Sequence, residues 1–438
     1  MTGEPTVHGG HAAPTTVSAR RVAFASVAGT TMEFYDFTIY GLASALVFGH
    51  VFFPIVSPTI GLLSSFATFG VGFVARPLGG IVFGHLGDRI GRKRVLVATL
   101  LLMGGATVLI GCLPGFATIG FWAPMLLVVL RLLQGLAYGG EWGGAVLMSF
   151  EHVPPGRRGF YSSLPQTGLS VGSLLGNLAF LLVALLPEEQ LLSWGWRIPF
   201  WVGAVLVVVG LVIRWKIAES PEFVENREAD ELPRLPLLDV LRRYPWQVLL
   251  ATVLMAGISV ATYLNLTYSV SFTARIGVAH WLVLTGILVS NGIQLVVVPL
   301  SGALSDRYGR RRLVVTGVVV WAALSLAFFP ALTTGEPVLV VLAYVLPYGI
   351  GYSIAQGPIP SMFAESFDSR VGYSGISLGF QLGNTVGGFA PFLAALVYEA
   401  IGTTWLGVLM SLLLLLAGVC TVALTRLGAQ PRVGAPAA

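Results

Sequence analysis

The sequence predicts an all-α membrane protein: twelve transmembrane helices in two pseudo-symmetric bundles of six. Three observations carry that expectation. Only 10% of the 438 residues are charged and 55% are hydrophobic, whereas an ordinary soluble globule carries roughly 25% Asp, Glu, Lys and Arg. The apolar residues fall into long runs, and about 20 apolar residues rising about 1.5 Å each are what a helix needs to cross about 30 Å of hydrocarbon. Finally, a dense charged stretch, GHLGDRIGRKR at 84–94, returns as GALSDRYGRRR at 302–312, an offset of 302 − 84 = 218 residues.

Span 1 is expected at 21–48, after a polar start that ends on Arg20 and Arg21. No short apolar core with a cleavage site precedes it, so no secretory signal is expected. Span 2 (60–84) runs into the first charged stretch, and span 3 (95–113) follows it with VLVATLLLMGGATVLIGC. Spans 4 (121–150) and 5 (159–186) flank Glu151…Arg158-Gly159, and span 6 (197–217) completes a first bundle at 21–217. The charged, proline-containing segment AESPEFVENREADELPRLPLLDVLRRYP reads as a linker, 218–246. Spans 7 (247–273) and 8 (281–304) lead to the second charged stretch, and spans 9 (313–332) and 10 (337–363) to Glu365…Arg370…Gly372, a faint echo of the segment after span 4. Spans 11 (372–398) and 12 (404–425), the last containing LMSLLLLLAGVCTVALT, complete a second bundle at 247–425. Tails remain at 1–20 and 426–438. Glycine and proline are frequent inside the spans, as membrane helices tolerate.

Twelve spans put both tails on one side. Of the 25 Lys and Arg, 21 fall in the tails and the even-numbered gaps, Arg197 and Arg275 fall on the other side, and Arg76 and Arg131 lie within spans. The asymmetry predicts that tails and charged stretches are cytoplasmic, so the net charge of +5 is a topology signal and no nucleic-acid partner is expected. Cys112 and Cys420 both lie in spans and read as buried apolar residues.

The 218-residue offset carries one six-span unit onto the other in the same orientation, the pattern of a two-domain transporter. The physics of the repeated stretch is local. Two glycines flank a tight turn, and Asp88 can place a carboxylate at the start of span 11 near Gly372 and Tyr373, where a helix N-terminus favours an anion. Asp306 can do the same at the start of span 5 near Gly159. Lys93, Arg94, Arg311 and Arg312 read as positive-inside anchors.

At both sites GxLxDRxGRRR resembles the loop motif of the major facilitator superfamily. The stretches GTTMEFYDFTIYG (29–41), FATFGVGFVARPLGG (66–80), RLLQGLAYGGEWGGA (131–145) and SWGWRIPF (193–200) resemble its metabolite:proton symporter branch, which includes shikimate, 2-oxoglutarate, citrate and proline/betaine permeases. The likeness covers nearly the whole chain and is strongest to shikimate-permease-like members in the first half. It implies that Asp88, Arg89 and Arg92 with Glu151, and Asp306, Arg307 and Arg310, form a cytoplasmic gate. It also implies that the span-1 acids and the span-2 and span-4 arginines belong to a central cavity.

Independently of that likeness, an ionised side chain at mid-bilayer costs about 2.5–3.5 kcal/mol on insertion scales and asks for a reason. Five occur, all in the first half: Glu33, Asp36, Arg76, Arg131 and Glu141. Glu33 and Asp36 share a helix face. Arg131, Gln134, Tyr138 and Glu141 fall within about 80° of each other at about 100° per residue, a polar stripe down span 4. An acid beside an arginine can exchange a proton when a substrate anion competes for the arginine, so Asp36, Glu33 and Glu141 are the proton-coupling candidates. Arg76 and Arg131 suit a carboxylate. Gln134, Tyr138, Tyr263, Asn265, Tyr352, Gln356 and Gln381 are further candidates for substrate contact.

Other classes fit less well. No GxxxxGK[ST] occurs, and the two lysines are Lys93 and Lys216, against an ATP-driven pump. The six histidines lie in the tail or at span ends, so no enzyme, catalytic residue, metal or cofactor is expected. Drug:proton antiporters of the same fold carry a GP-containing motif in span 5, where this chain reads SSLPQTGLSVGSLLGNLAF. The osmosensing proline/betaine member carries a C-terminal coiled coil, where this chain has RLGAQPRVGAPAA. The expectation is therefore uptake, by proton symport, of a small organic carboxylate by a monomer in a bacterial cytoplasmic membrane. A zwitterionic osmolyte symporter, or a drug or metabolite antiporter of the same fold, stands as the alternative.

Overall fold

A computed structural model describes residues 16–215 and 236–428. Most of the expected linker and the outer parts of both tails lie outside the described residues. Within them the chain is helical, with no strand. The twelve crossings are α1 (Thr16–Leu46), α2 (Pro58–Ile90), α3 (Arg92–Cys112), α4 (Trp122–Glu151), α5 (Arg158–Ala184) and α6 (Arg197–Trp215). The second set is α7 (Pro245–Tyr268), α8 (His280–Tyr308), α9 (Arg310–Thr333), α10 (Pro337–Ser366), α11 (Gly372–Gly388) and α12 (Trp405–Leu427). The backbone after α11 runs on as Ala390–Gly428 and breaks at Gly402, where φ is 71°.

Eight of the helices are long and apolar enough on their own to cross a membrane, and the bent pair Glu188–Gly195 with Arg197–Ile213 adds a ninth. The remaining crossings, α1, α5 and α11, have a physical reason for falling short. Buried polar groups, Glu33 and Asp36 on α1 and Ser162, Ser163, Gln166 and Ser170 on α5, dilute their hydropathy, and α11 has only 17 residues. Their polarity faces inward.

Helix pairing repeats under the 218-residue shift. In the first half α1 packs on α5, α2 on α4 and α3 on α6; in the second α7 packs on α11, α8 on α10 and α9 on α12. The halves meet through α2 against α11 and α5 against α8, contacts that the shift exchanges. Close approach rests on glycine: a Cβ on Gly139 would lie 2.1 Å from the Arg76 carbonyl oxygen, and one on Gly172 would lie 2.2 Å from that of Thr31. Such small-residue contacts drive helix association where lipid supplies no hydrophobic force.

The structure corrects the reading of the repeated stretch. Helix continues to Ile90 and Tyr308, and one glycine makes each turn, Gly91 at φ 108° and Gly309 at φ 91°, a backbone region that favours glycine. Gly84 and Gly302 do not flank a loop; they are packing positions, a Cβ on them meeting Ser374 and Ser163 across the half interface. Asp88 and Asp306 therefore project from the last helical turn. Cys420 is buried as expected, whereas Cys112, at the end of α3, is exposed.

Candidate functional site

A cavity of about 440 Å³ lies between the halves, lined by α1, α2, α4 and α5 on one side and α7, α8, α10 and α11 on the other. That is the size of a small-molecule site. Its lining reaches Leu42, Asn177, Thr267 and Ile287, toward the helix ends away from the arginine clusters.

Against it, inside the first half, Glu33, Asp36, Arg76, Arg131, Gln134 and Tyr138 surround one small pocket, all buried. The helix spacing that placed them on facing stripes explains the convergence. Gln134 is the hub. Its Nε2 donates to Asp36 Oδ2 at 2.7 Å and to Thr107 Oγ1 at 2.9 Å, while its Oε1 accepts from Arg131 Nη1 at 3.1 Å. The Thr107 hydroxyl donates to the other oxygen of Asp36. Asp36 and Arg131 are thus linked through an amide rather than paired directly.

The arginines are held by rings. The Arg76 guanidinium carbon lies 3.6 Å from the ring centroid of Tyr138 and 4.0 Å from that of Phe73, with Tyr263 from the second half within hydrogen-bonding reach. Arg131 lies 4.2 Å from the Tyr40 ring centroid and 5.1 Å from that of Phe69. Among the described residues neither arginine has a carboxylate within 4.0 Å, and the Nε of each is buried without a hydrogen-bond partner. Cation–π contact with desolvated rings stabilises each charge by about 2 kcal/mol, and the hydrogen bonds of the two guanidinium groups go to neutral partners, Gln134 for Arg131 and Tyr263 for Arg76.

The other expected contacts divide. Tyr138, Tyr263, Tyr352 and Gln356 line the cavity, and Gln356 Oε1 is buried without a hydrogen-bond partner. Asn265 is elsewhere: its Oδ1 accepts from Trp321 Nε1 at 3.1 Å. Gln381 donates to the Gly139 carbonyl at 3.2 Å, joining α11 to α4 outside the cavity lining. Glu141 leaves the stripe toward α3, where its carboxylate accepts from Thr99 Oγ1 at 3.2 Å. Sequence reasoning missed Thr107, a lone hydroxyl in an apolar run. It also missed the cavity wall formed by Trp142 stacked on Phe380, with centroids 3.5 Å apart and planes at 9°, two rings that nothing in the sequence brings together.

At the end carrying the arginine clusters the halves are pinned. Asp88 accepts from the backbone N–H of Tyr373 (3.3 Å) and Ser374 (3.0 Å) and from Ser374 Oγ (2.8 Å). Asp306 accepts from the N–H of Gly159 (2.8 Å) and Phe160 (3.1 Å) and from Arg310 Nη1 (2.7 Å). Arg92 forms a buried ion pair with Glu151 and donates to the Ser369 carbonyl at 2.8 Å. Arg310 reaches Glu365 at 3.3 Å. Arg89 and Arg307 are exposed and stand outside these contacts.

A twelve-helix protein with a ligand-sized cavity between pseudo-repeated halves, pinned at one end, has the architecture of an alternating-access membrane transporter. Residues 26–388 match the Major Facilitator Superfamily, and the chain belongs to it: a multi-pass membrane transporter and not an enzyme. It is 42% identical over 414 residues to a shikimate transporter of Escherichia coli (strain K12), covering 93% of this chain and 94% of that one. It is 40% identical to the inner membrane metabolite transport protein YhjE of the same strain, covering 93% of each. It is 33% identical to a proline/betaine transporter of Salmonella typhimurium (strain LT2), covering 87% of this chain and 78% of that one. Among solved structures, the proton:xylose symporter XylE superposes with a TM-score of 0.75 at 15% identity, over 93% of this chain and 96% of that one, a likeness of fold.

Proposed function

We propose that the protein takes up a small organic carboxylate together with a proton, by alternating access, across a bacterial inner membrane with both tails and both arginine clusters cytoplasmic. The observation that carries the reading is the pair of buried arginines, Arg76 and Arg131, held by rings beside the cavity without a carboxylate partner. A buried cation without an anion is costly, and a carboxylate supplies the planar, bidentate partner that guanidinium fits. The 42% identity to a transporter of shikimate supports a carboxylate. Asp36, backed by Glu33, is the proton carrier in this reading: a substrate that draws Arg131 toward the cavity weakens its hold on Asp36 through Gln134, and a proton replaces the lost positive charge.

The contacts of Asp88, Arg92, Glu151, Asp306 and Arg310 act as the cytoplasmic latch, and residues 21–217 and 247–425 move as the two rigid bundles about it. The test is uptake into proteoliposomes of shikimate, 2-oxoglutarate, citrate, benzoate-type acids, proline and betaine, each with and without an inward proton gradient. A carboxylate is expected to accumulate only with the gradient. Accumulation of proline or betaine alone, or accumulation that ignores the gradient, would overturn the proposal.

A further inference from the structure

We propose that the groove at the start of α9 binds the phosphate headgroup of an anionic phospholipid. The α8–α9 turn opens a groove of about 710 Å³ whose lining includes Asp306, Arg307, Arg310, Arg311, Arg312 and Glu365. Both carboxylates are engaged by one of the four arginines, Arg310. Arg307, Arg311 and Arg312 are exposed and, among the described residues, form no ion pair.

The first copy of the motif is the internal control. There Arg92 is buried against Glu151 and Ser369, and Lys93 donates to the Trp215 carbonyl at 3.0 Å. Arg89 and Arg94 are exposed there as Arg307 and Arg312 are here, and Arg92 is engaged as Arg310 is, so the copies differ at Lys93, held by the Trp215 carbonyl, where the second copy has the exposed Arg311. α9 begins at Arg310, directly after Gly309, so its first backbone N–H groups, which lack intrahelical acceptors, add to the attraction for an anion.

The apolar surroundings select a lipid over a soluble phosphate. Leu300, Leu304 and Tyr308 lie one helical turn apart on α8, and are 52%, 38% and 50% exposed. They form an apolar row that runs from the groove along the face that meets acyl chains. A cationic groove joined to such a row fits an anionic amphiphile, as basic pockets between membrane helices do; free phosphate would use the groove alone.

The test is titration of the purified full chain in neutral detergent with phosphatidylglycerol, counting bound lipid by native mass spectrometry. Phosphatidylcholine serves as the neutral comparison and glycerol phosphate as the soluble competitor. Phosphatidylglycerol is expected to bind in preference to phosphatidylcholine. Arg311→Gln with Arg312→Gln should weaken it about fivefold per arginine, about thirtyfold together, while Arg89→Gln with Arg94→Gln at the first copy changes it less than about twofold. Arg311→Lys with Arg312→Lys, which keeps the charge and guards against misfolding, should retain most of the binding. Equal weakening at both copies, or no preference between the two lipids by the unaltered protein, would overturn the site. Displacement by glycerol phosphate at lipid-like concentrations would overturn its assignment to a lipid.

Discussion

Replacing Asp88 by Asn tests the latch with the least disturbance of shape. The carboxylate is buried and accepts three hydrogen bonds from Tyr373 and Ser374 across the half interface. The amide has the same outline, but one of its two terminal atoms becomes a donor facing donors, and the charge opposite the α11 N-terminus is lost. Hydrogen bonds to a charged group contribute about 1.5–3 kcal/mol, and converting one into a donor–donor clash removes at least that much from the latched state. The balance between latched and unlatched conformations should move by roughly 10- to 150-fold. Spin labels at exposed Ile90 and half-buried Arg370, on a background in which exposed Cys112 is replaced by Ser, would report the separation of the α2 and α11 ends. A longer-distance population should appear in Asp88→Asn and net uptake should fall, with membrane insertion unchanged. Asp306→Asn should act in the same direction but less, because Asp306 and Arg310 are 10% and 12% exposed and water screens what they lose. An unchanged distance distribution with normal uptake in Asp88→Asn would leave the motif as a topology anchor.

The remaining predictions concern the cavity. Arg76→Lys keeps the charge but loses the flat cation between Tyr138 and Phe73, so substrate affinity should fall by about tenfold with little change in abundance. Arg131→Lys should fall further because it also loses the bond to Gln134. Calorimetric titration of purified variants measures both, and unaltered affinity in the pair would count against a carboxylate site there. Asp36→Asn, a mimic of the permanently protonated acid, should retain counterflow of labelled substrate between equal pools and lose accumulation driven by a proton gradient. Persistent gradient-driven accumulation would move the proton to another acid, with Glu141 next to be tried.

The crossings were legible because each is a long apolar run, and the latch partners because helix N-termini and a repeated acid define each other. The small pocket was legible for a related reason: Glu33 with Asp36, and Arg131 with Gln134 and Tyr138, share helix faces by spacing alone. Which face an amide presents was not legible. Gln356 and Gln381 look alike in sequence, yet one lines the cavity and the other bonds the α4 backbone, since membrane helices use amides equally well for packing. The hub role of Gln134 was hidden because it depends on Thr107, on a third helix. The single-residue turns at Gly91 and Gly309 were hidden because DRxG looks like loop until its first half is seen to be helical.

The shift that superposes the two halves also shows where their chemistry has parted. It carries Asp88 onto Asp306 and Arg92 onto Arg310, and the pinning contacts recur; it carries Arg76 onto Gln294 and Asp36 onto Leu254, and the charge does not recur. Gln294 instead accepts from Ser170 Oγ at 3.1 Å and donates to the Tyr348 carbonyl at 3.3 Å, neutral bonds on the opposite cavity wall. Rocking of one half on the other calls for matched contacts at the interface, and the pinning contacts recur in both halves. Holding an anion and handling a proton need charges only on one wall, because a ligand anchored there can be read from the other by hydroxyls and amides that move onto it as the halves close. In the proposed function the first half sets which charge the ligand carries, and the second, through Tyr263, Tyr352 and Gln356, sets which ligand of that charge allows closure, so exchanging polar groups on α7 and α10 should change the substrate preferred while leaving proton coupling in place.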